Sequence, residues 1–259
     1  MAKVRFITDA PASLIITDRG RRILTVSDLH IGLEYELKDL GFRLPSQTYQ
    51  ITKTLLELLS TIKPDVLVIL GDVKHRIKGF NERIKREVKS FMEVITEKSK
   101  ETIVIMGNHD GSLRRLKLER VIMCDSSGVS IDDVSFIHGN AWPHPSLFTS
   151  NILIMGHLHP TLPRQLGGFK VWVIYYVGKR IKERIRKMFK IEVGLKRLIV
   201  HPAYNNYLGP GGLNENSFRK LSPLFRRLVN PMRGYVYGLD GTLIGKFSSV
   251  SSGTEYPSF

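Results

Sequence analysis

The amino-acid sequence predicts an α/β fold in which strands alternate with helices. Short apolar runs rich in β-branched residues recur along the chain, and amphipathic stretches with helical spacing lie between several of them. This alternation is typical of an α/β sheet rather than of an all-α or all-β domain. Hydrophobic residues make up 42% of the 259 positions, so the chain can bury a core without disulfides.

The first part of the chain contains five runs that we predict to be buried strands: 23–26, 66–70, 103–106, 134–137 and 152–155. Two stretches, 46–62 and 81–97, are predicted helices, with Ser46 and Asn81 as N-caps. The apolar face of the first helix is formed by Ile51, Leu55, Leu58, Leu59 and Ile62.

After Phe169 the pattern changes to strand-like runs at 171–177, 198–200, 235–237 and 243–244. A basic amphipathic segment, 178–190, and a loop rich in glycine, proline and asparagine, 202–216, separate these runs. No linker marks a domain boundary. The sequence therefore predicts a single domain over residues 1–247, followed by a loose Ser-rich tail over 248–259.

The cysteine count and the hydropathy pattern limit where the protein could act. Cys124 is the single cysteine, which excludes a disulfide within the chain, and the first residues do not form a signal-peptide pattern. These features predict a reducing, cytoplasmic location. No apolar run approaches the ~18 residues that a membrane span needs, so we expect no membrane insertion. The oligomeric state stays open.

The chain carries a formal net charge of +15, and this excess is concentrated in three basic clusters at 74–89, 114–120 and 179–197. Clusters of this kind attract polyanions such as nucleic acids. A solvated Lys/Arg-rich surface is the alternative interpretation, because no aromatic residues suited to base stacking are interleaved with the basic ones.

Side chains of metal-ligand types follow five of the predicted strands. They are Asp28, His30, Asp72, Asn108, His109, His138, His157 and His159. Ligands bind outside the carboxyl ends of strands in open α/β sheets, so residues far apart in the chain can converge there. Carboxylate, imidazole and carboxamide donors suit Mn²⁺, Fe²⁺ or Zn²⁺. Seven such ligands, leaving out His109, are enough for two ions that share Asp72, an arrangement that suits phosphoryl transfer.

The ordered motifs resemble those of the calcineurin-like metallophosphoesterase superfamily. The motifs are Asp28-Leu29-His30, Gly71-Asp72, Gly107-Asn108-His109-Asp110, His138 and Gly156-His157-Leu158-His159. Flanking pieces are similar to archaeal SbcD-related phosphoesterases and their bacterial DNA-ligase-associated relatives; they are Gly32-Leu33-Glu34, Gly71-Asp72-Val73-Lys74-His75, His201-Pro202-Ala203-Tyr204-Asn205 and Gly211-Gly212-Leu213-Asn214.

The resemblance implies a four-layer αββα sandwich, with two mixed sheets flanked by helices, and a site for two divalent ions. Mn²⁺ is the expected metal, with Fe²⁺ or Zn²⁺ as alternatives. Carried over to this sequence, one ion takes Asp28, His30, Asp72 and His159. The other ion takes Asp72, Asn108, His138 and His157.

The reaction that follows from this resemblance is in-line attack on phosphorus by a hydroxide held between the ions. His109 is the candidate to protonate the leaving group or to hydrogen-bond a phosphate oxygen. Many relatives carry an acid three residues after the bridging Asp72, where this chain has His75. Either Asp110 orients His109 instead or His109 is tuned differently, and His75 is either catalytic or an outer residue that contacts phosphate.

The substrate is predicted to be a phosphodiester related to nucleotides or nucleic acids. Lys74, Arg114 and Arg115 follow two of the motifs and are the candidate substrate-binding residues. A compact phosphodiesterase is the first interpretation, and a metal-dependent DNA or RNA nuclease in repair is the second. A metal-binding scaffold without catalytic activity is the alternative from another class of protein.

Overall fold

The computed structural model describes residues 1–8, 10–77, 82–208 and 212–252. The first sheet has the order β1-β2-β3-β4-β5-β6; its last four strands are parallel, and β1 and β2 are antiparallel additions at one edge. Its strands and the helices between them are β1 (Lys3–Phe6), β2 (Ser13–Ile16), β3 (Arg22–Val26), α1 (Leu33–Asp39), α2 (Gln47–Ile62), β4 (Val66–Ile69), α3 (Glu82–Glu97), β5 (Glu101–Ile105) and β6 (Val121–Cys124).

The second sheet has the order β13-β12-β10-β11-β9-β8-β7, with β8, β9 and β11 parallel and the remaining pairs antiparallel. The elements of this half are β7 (Val129–Ile131), β8 (Val134–Ile137), β9 (Ile152–Met155), β10 (Trp172–Tyr176), α4 (Lys179–Phe189), β11 (Arg197–Val200), α5 (Glu215–Leu221), α6 (Pro223–Arg227), β12 (Tyr235–Tyr237), β13 (Leu243–Lys246) and α7 (Phe247–Ser251).

Three apolar layers hold the elements together because each central strand is buried on both faces. In β4, Val66 and Val68 point into a layer between the two sheets, and Leu67 and Ile69 point toward α2 and α3. A third layer lies between the second sheet and the helices α4, α5 and α6. The result is an α/β fold of two mixed sheets flanked by helices, which confirms the predicted αββα sandwich.

Every strand run that the sequence analysis identified coincides with a strand, and 46–62, 81–97 and 178–190 contain α2, α3 and α4. Ser46 occupies the N-cap position of α2, as predicted, but its side chain makes no cap hydrogen bond, and its hydroxyl donates to the Glu34 carboxylate at 2.8 Å. The other proposed cap, Asn81, lies outside the described residues. The predicted loop at 202–216 is shorter than expected, because α5 begins at Glu215.

The predicted loose tail begins within a helix. Helix α7 includes residues 248–251, and its Val250 is buried together with Phe247, so this part of the segment packs on the core. Residues 253–259 lie outside the described residues, as does Gly211 of the flanking motifs. No helix among the described residues is long and apolar enough to cross a bilayer.

Candidate metal centre

Five parallel strands carry the predicted ligands to one edge of the sandwich. In the first sheet β3, β4 and β5 end just before residues 28–30, 72 and 108–110, and in the second sheet β8 and β9 end just before 138 and 157–159. The structure brings ligand atoms from both sheets within 4.8 Å of one another in two groups. The groups are Asp28, His30 and His159, and Asp72, His138 and His157.

One carboxylate oxygen connects the two groups. Asp72 Oδ2 lies 3.4 Å from Nε2 of His30 and 3.4 Å from Nε2 of His138. Within the first group, Asp28 Oδ1 lies 3.1 Å from His159 Nε2. Asn108 joins the second group, since its Oδ1 lies 3.3 Å from His138 Nε2. The seven residues that the sequence predicts as ligands therefore lie in one cluster centred on Asp72.

The backbone at the cluster takes a conformation that residues other than glycine rarely adopt. Positive φ angles of 43° to 72° occur at Asp28, His30, Asp72, His157 and His159. Such residues cost about 1–3 kcal/mol each and persist where the surrounding structure fixes them. Here backbone hydrogen bonds join the loops, from Asp28 N to Gly71 O at 3.1 Å and from His30 N to Asp72 O at 2.8 Å.

The charges of the cluster are strongly coupled. Burial would raise the pKa of Asp28, but the imidazoles of His159, His138 and His30 hold it below its ordinary value. The pKa of Asp72 is likewise lowered to about 2, because the attraction of His138 outweighs the effect of burial. Burial dominates at His30 and lowers its pKa to about 3. Ionised carboxylates and neutral imidazoles are the forms that ligate metal ions.

The donor atoms fit divalent metal ions. Asp28 Oδ1, His30 Nε2 and His159 Nε2 are buried and form no hydrogen bond with any described residue. Buried polar atoms are normally hydrogen-bonded, so orphaned atoms that face one another indicate a ligand at this place. A set of carboxylate, imidazole and carboxamide donors without thiolate suits Mn²⁺, Fe²⁺ or Zn²⁺.

His109 lies beside the cluster and receives its orientation from the backbone. Its Nδ1 hydrogen-bonds the carbonyl oxygen of His75, and its Nε2 lies 3.9 Å from Asp72 Oδ2. The hydrogen bonds of Asp110 go elsewhere: its buried carboxylate accepts from the backbone N–H groups of Val73 and Gly107, both at 3.0 Å. Asp110 therefore joins two loops, and this geometry favours the second of the two alternatives, in which another group orients His109.

His75 contributes a third imidazole to this side of the cluster. Together with His30 and His109 it forms another group whose ring nitrogens lie within 4.8 Å of one another. Its Nδ1 lies 3.1 Å from His30 Nδ1, and its Nε2 lies 3.3 Å from the carboxylate of Glu36 on α1. Glu36 was missed in the sequence because no motif connects α1 with this position.

Lys74 does not occupy the place expected of a substrate-binding residue. Its side chain is fully buried, and its ammonium donates to the carbonyl oxygens of Arg76 and His109. Burial lowers the pKa of this amine despite the attraction of Asp110. Lys74 therefore bridges the two loops that carry Asp72 and His109, and its charge is not presented at the surface.

The two arginines predicted to bind substrate lie on a short 3-10 turn, Leu113–Leu116, after the third motif. The guanidinium of Arg114 forms an ion pair with Asp125 at 2.5 Å and also donates to the sulfur of Met106. Arg115 is exposed. Of the three proposed substrate-binding residues, Arg115 is thus the one whose side chain is neither buried nor paired with an acid in the described part of the chain.

A segment after β11 supports the first ligand loop from behind. Asn205 donates from Nδ2 to the carbonyl of Leu29 at 2.8 Å, and the ammonium of the half-buried Lys170 donates to the carbonyls of Tyr204 and Asn205. Burial lowers the pKa of Lys170 to about 7. Ser27 donates to Asp28 Oδ2 at 2.5 Å. These supporting contacts could not be predicted, because they depend on how distant segments pack.

The chain belongs to the calcineurin-like phosphoesterase family, whose model matches residues 21–193. It is therefore a hydrolase that acts on phosphoric esters, in a family that uses divalent metal ions. The crystal structure of Pseudomonas putida nuclease MPE is similar, with a TM-score of 0.52, 17% identity and coverage of 92% of this chain and 98% of that one.

A second solved structure, YfcE, described as a phosphoesterase from E. coli, gives a TM-score of 0.42 at 16% identity, covering 86% of this chain and 97% of the other. At these identities the likeness concerns the fold alone. No curated protein sequence matches the chain.

Proposed function

We propose that the protein is a phosphodiesterase with two divalent metal ions, most simply Mn²⁺, that hydrolyses a diester related to nucleotides or nucleic acids. The observation that carries this proposal is the position of Asp72 Oδ2, at 3.4 Å from a ring nitrogen of each ligand group. A carboxylate shared in this way suits two ions better than one.

The seven predicted ligands divide between the ions as the family resemblance implies. Asp28, His30 and His159 would hold one ion and Asn108, His138 and His157 the other, with Asp72 between them. Ions bound there supply Lewis acidity, which activates water and neutralises charge on a phosphate. The remaining steps depend on the chain's own side chains.

His109 is the proposed proton donor. Its Nδ1 is engaged by the His75 carbonyl, so its Nε2 is the nitrogen left to face the reacting group, on the side of Asp72. A protonated Nε2 can hydrogen-bond the leaving oxygen and transfer its proton as the phosphorus–oxygen bond breaks. His75 acts through its backbone as a positioning residue, and Arg115 is a candidate for contacting a phosphate beyond the scissile one.

A nuclease is the second candidate function. The neighbour with a TM-score of 0.52 is named a nuclease, and the basic clusters favour a polyanionic substrate. A non-catalytic scaffold is the third candidate, and the presence of all seven predicted ligands and His109 in one cluster argues against it.

The proposal is tested with metal-free protein, to which Mn²⁺ is added while hydrolysis of bis(p-nitrophenyl) phosphate and thermal unfolding are followed. We expect hydrolysis and a rise in melting temperature with Mn²⁺, and the loss of both in Asp72→Asn. The matched control is Asp39→Asn, an exposed carboxylate on α1. A metal-stabilised protein that cleaves no diester would favour the scaffold, and a protein that Mn²⁺ does not stabilise would refute the metal centre.

Linear and circular single-stranded DNA together separate the first two candidates. An endonuclease cuts both forms and an exonuclease degrades the linear strand, under conditions in which the small diester is also cleaved. A phosphodiesterase restricted to small substrates leaves both forms intact.

A further inference from the structure

A cavity with a volume of about 360 Å³ lies on the outer face of the second sheet, and none of the proposed metal ligands lines it. Its walls come from the end of β10, the start of α4, and α5 and α6 with the segment that follows α6. Six arginines line it, and none of its lining residues is acidic. These arginines are Arg180, Arg184, Arg219, Arg226, Arg227 and Arg233.

Most of this positive charge is not neutralised by the protein. Arg219 forms an ion pair with Glu215 at 2.8 Å, and Arg184 donates to the backbone carbonyl of Arg227 at 2.6 Å. The guanidiniums of the other four arginines form no hydrogen bond or ion pair with any described residue. Guanidiniums gathered around one cavity repel each other, and a phosphate removes this repulsion with bidentate hydrogen bonds.

The cavity rests on a rigid floor. Tyr175 and Phe225 are buried, and their rings pack with centroids 5.0 Å apart. The Tyr175 hydroxyl donates to the Pro231 carbonyl, which ties the segment after α6 to the sheet. Arginines on several elements are therefore held around a fixed surface.

One side of the cavity lies close to the metal centre. The carbonyl oxygen of Leu221, at the end of α5, is 3.3 Å from His157 Nε2. Arg219 precedes Leu221 by two residues, so their Cα atoms are at most about 7 Å apart. A chain of phosphates at the metal centre would need to extend only a short distance to meet this side.

The other side of the cavity lies toward the opposite end of the sheet. Tyr176 pairs with Arg197, which pairs with Ile152 at the start of β9, whereas the ligands follow the end of β9. The three residues from Ile152 to Met155 span about 10 Å of strand. A small diester bound at the metals could not reach this far, but a strand of several nucleotides could.

We propose that the arginine cavity binds the sugar-phosphate backbone of a nucleic-acid strand whose scissile phosphate lies at the metal centre. This inference rests on the proposed diesterase function and narrows its substrate to polynucleotides. A nucleic acid fits better than a single small phosphate, because the charge extends from the cavity along the exposed basic residues of α4, including Lys179 and Lys187.

The test measures the affinity of the full-length protein for fluorescein-labelled single-stranded DNA in EDTA, so that no strand is cleaved. The variant Arg180→Gln/Arg226→Gln/Arg233→Gln removes three of the unpaired charges. The matched control, Lys3→Gln/Lys53→Gln/Lys98→Gln, removes three exposed charges from the side of the first sheet. Melting temperatures of both variants establish that they are folded.

We expect the arginine variant to bind DNA about tenfold more weakly or worse, and the slope of log affinity against log salt to become shallower by about 2, as for three lost phosphate contacts. The lysine control should change affinity by less than about twofold at the same salt concentration. Equal losses in the two variants, or no loss in the arginine variant, would overturn the proposal.

Competition with ATP distinguishes a strand from a small polyphosphate. If ATP lowers the DNA affinity of the wild-type protein to that of the arginine variant, the cavity binds a small ligand and the nucleic-acid inference is overturned. Because binding is measured without metal, its outcome is independent of diester hydrolysis. Failure of the proposed function would instead be seen as a metal-loaded wild-type protein that cleaves no diester.

Discussion

At the scale of single residues, the least expected feature is the use of histidine where many relatives carry an acid. His75 cannot supply a fixed negative charge, but the carboxylate of Glu36 lies 3.3 Å from its Nε2. Its Nδ1 faces His30, and its carbonyl accepts from His109. An acidic group is thus present near this position, and the imidazole of His75 lies between it and His30.

Replacement of His109 by asparagine tests its role as proton donor. We expect kcat to fall by about 10²- to 10⁴-fold for a diester with a poor leaving group. The fall should be much smaller for a p-nitrophenyl ester, whose leaving group needs no proton. Metal affinity should be kept, since the contact of His109 with Asp72 Oδ1 comes from its backbone N–H at 2.9 Å. Equal losses with both esters would contradict proton donation.

Removal of the Glu36 charge tests whether its contact with His75 supports the metal centre. In Glu36→Gln we expect up to about a tenfold loss of Mn²⁺ affinity or of activity, because Glu36 contacts His75, whose Nδ1 lies 3.1 Å from the proposed ligand His30. Isothermal titration of Mn²⁺ and the hydrolysis rate measure the two effects. Asp39→Asn on the same helix is the control. If the two variants behave alike, the contact between Glu36 and His75 has no part in the centre.

The part of the site that could be predicted is the part that depends only on residue type and on position along the chain. Aspartate, asparagine and histidine directly after buried strands predicted the cluster, because parallel strands end at a common edge. Lys74 was misjudged because a lysine's sequence position does not reveal that its amine is buried. Glu36 was missed, and Asn205 was identified only as part of a flanking motif, because their contacts arise between elements that are distant in the chain.

At the scale of elements, the strand ends are shaped by close approach of one loop to another. A Cβ at Gly156 would lie 1.9 Å from Ser27 Oγ and 2.8 Å from Asp28 Oδ2. Ser27 cannot turn aside freely, since it donates to that same carboxylate. Gly156 therefore allows the end of β9 to pack against the loop that follows β3.

The substitution Gly156→Ala should displace Asp28 and weaken metal binding by about tenfold or more, because ligand geometry tolerates little displacement. The matched control is Gly111→Ala, where the added Cβ has no atom within 4 Å. Mn²⁺ titration of both variants measures the effect. Equal affinities in the two variants would mean that the loops can separate without disturbing the ligands.

Elements of the sandwich differ in how clearly the sequence marks them. The central strands were predicted because both of their faces are buried and their sequences are continuously apolar. Edge strands β1 and β6 were not, since β1 alternates exposed with half-buried residues and Ile122 of β6 is exposed. Helix α5 was not predicted, because its N-cap residue Asn214 is of a type that is also common in loops.

At the scale of the whole molecule, the metal centre lies where the two sheets meet. The first sheet contributes Asp28, His30, Asp72 and Asn108, and the second contributes His138, His157 and His159. Neither sheet holds a complete ligand set, so the centre requires that both are folded and packed together. Metal binding should then stabilise the assembled sandwich as a whole.

The buried histidine outside the ligand set gives a pH-dependent contribution to the stability of the same sandwich. Burial lowers the pKa of His201 to about 4, although carbonyl oxygens of Pro202 and Thr25 face its ring nitrogens. Its ordinary value is 6.5. Between these values the unfolded chain binds one more proton than the folded chain, so the stability due to this residue falls as the pH is lowered from 6.5 toward 4.

Replacement of His201 by glutamine should therefore lower the free energy of unfolding most above pH 6.5. Each pH unit of the window is worth about 1.4 kcal/mol, so the difference in unfolding free energy between wild type and His201→Gln should shrink by up to about 3 kcal/mol toward pH 4. Urea unfolding of metal-free protein across this range measures it, with His144→Gln, at an exposed site, as the control. A constant difference from pH 7.5 to 4 would show that His201 keeps the same protonation in the folded and unfolded chain, and that its burial carries no electrostatic cost.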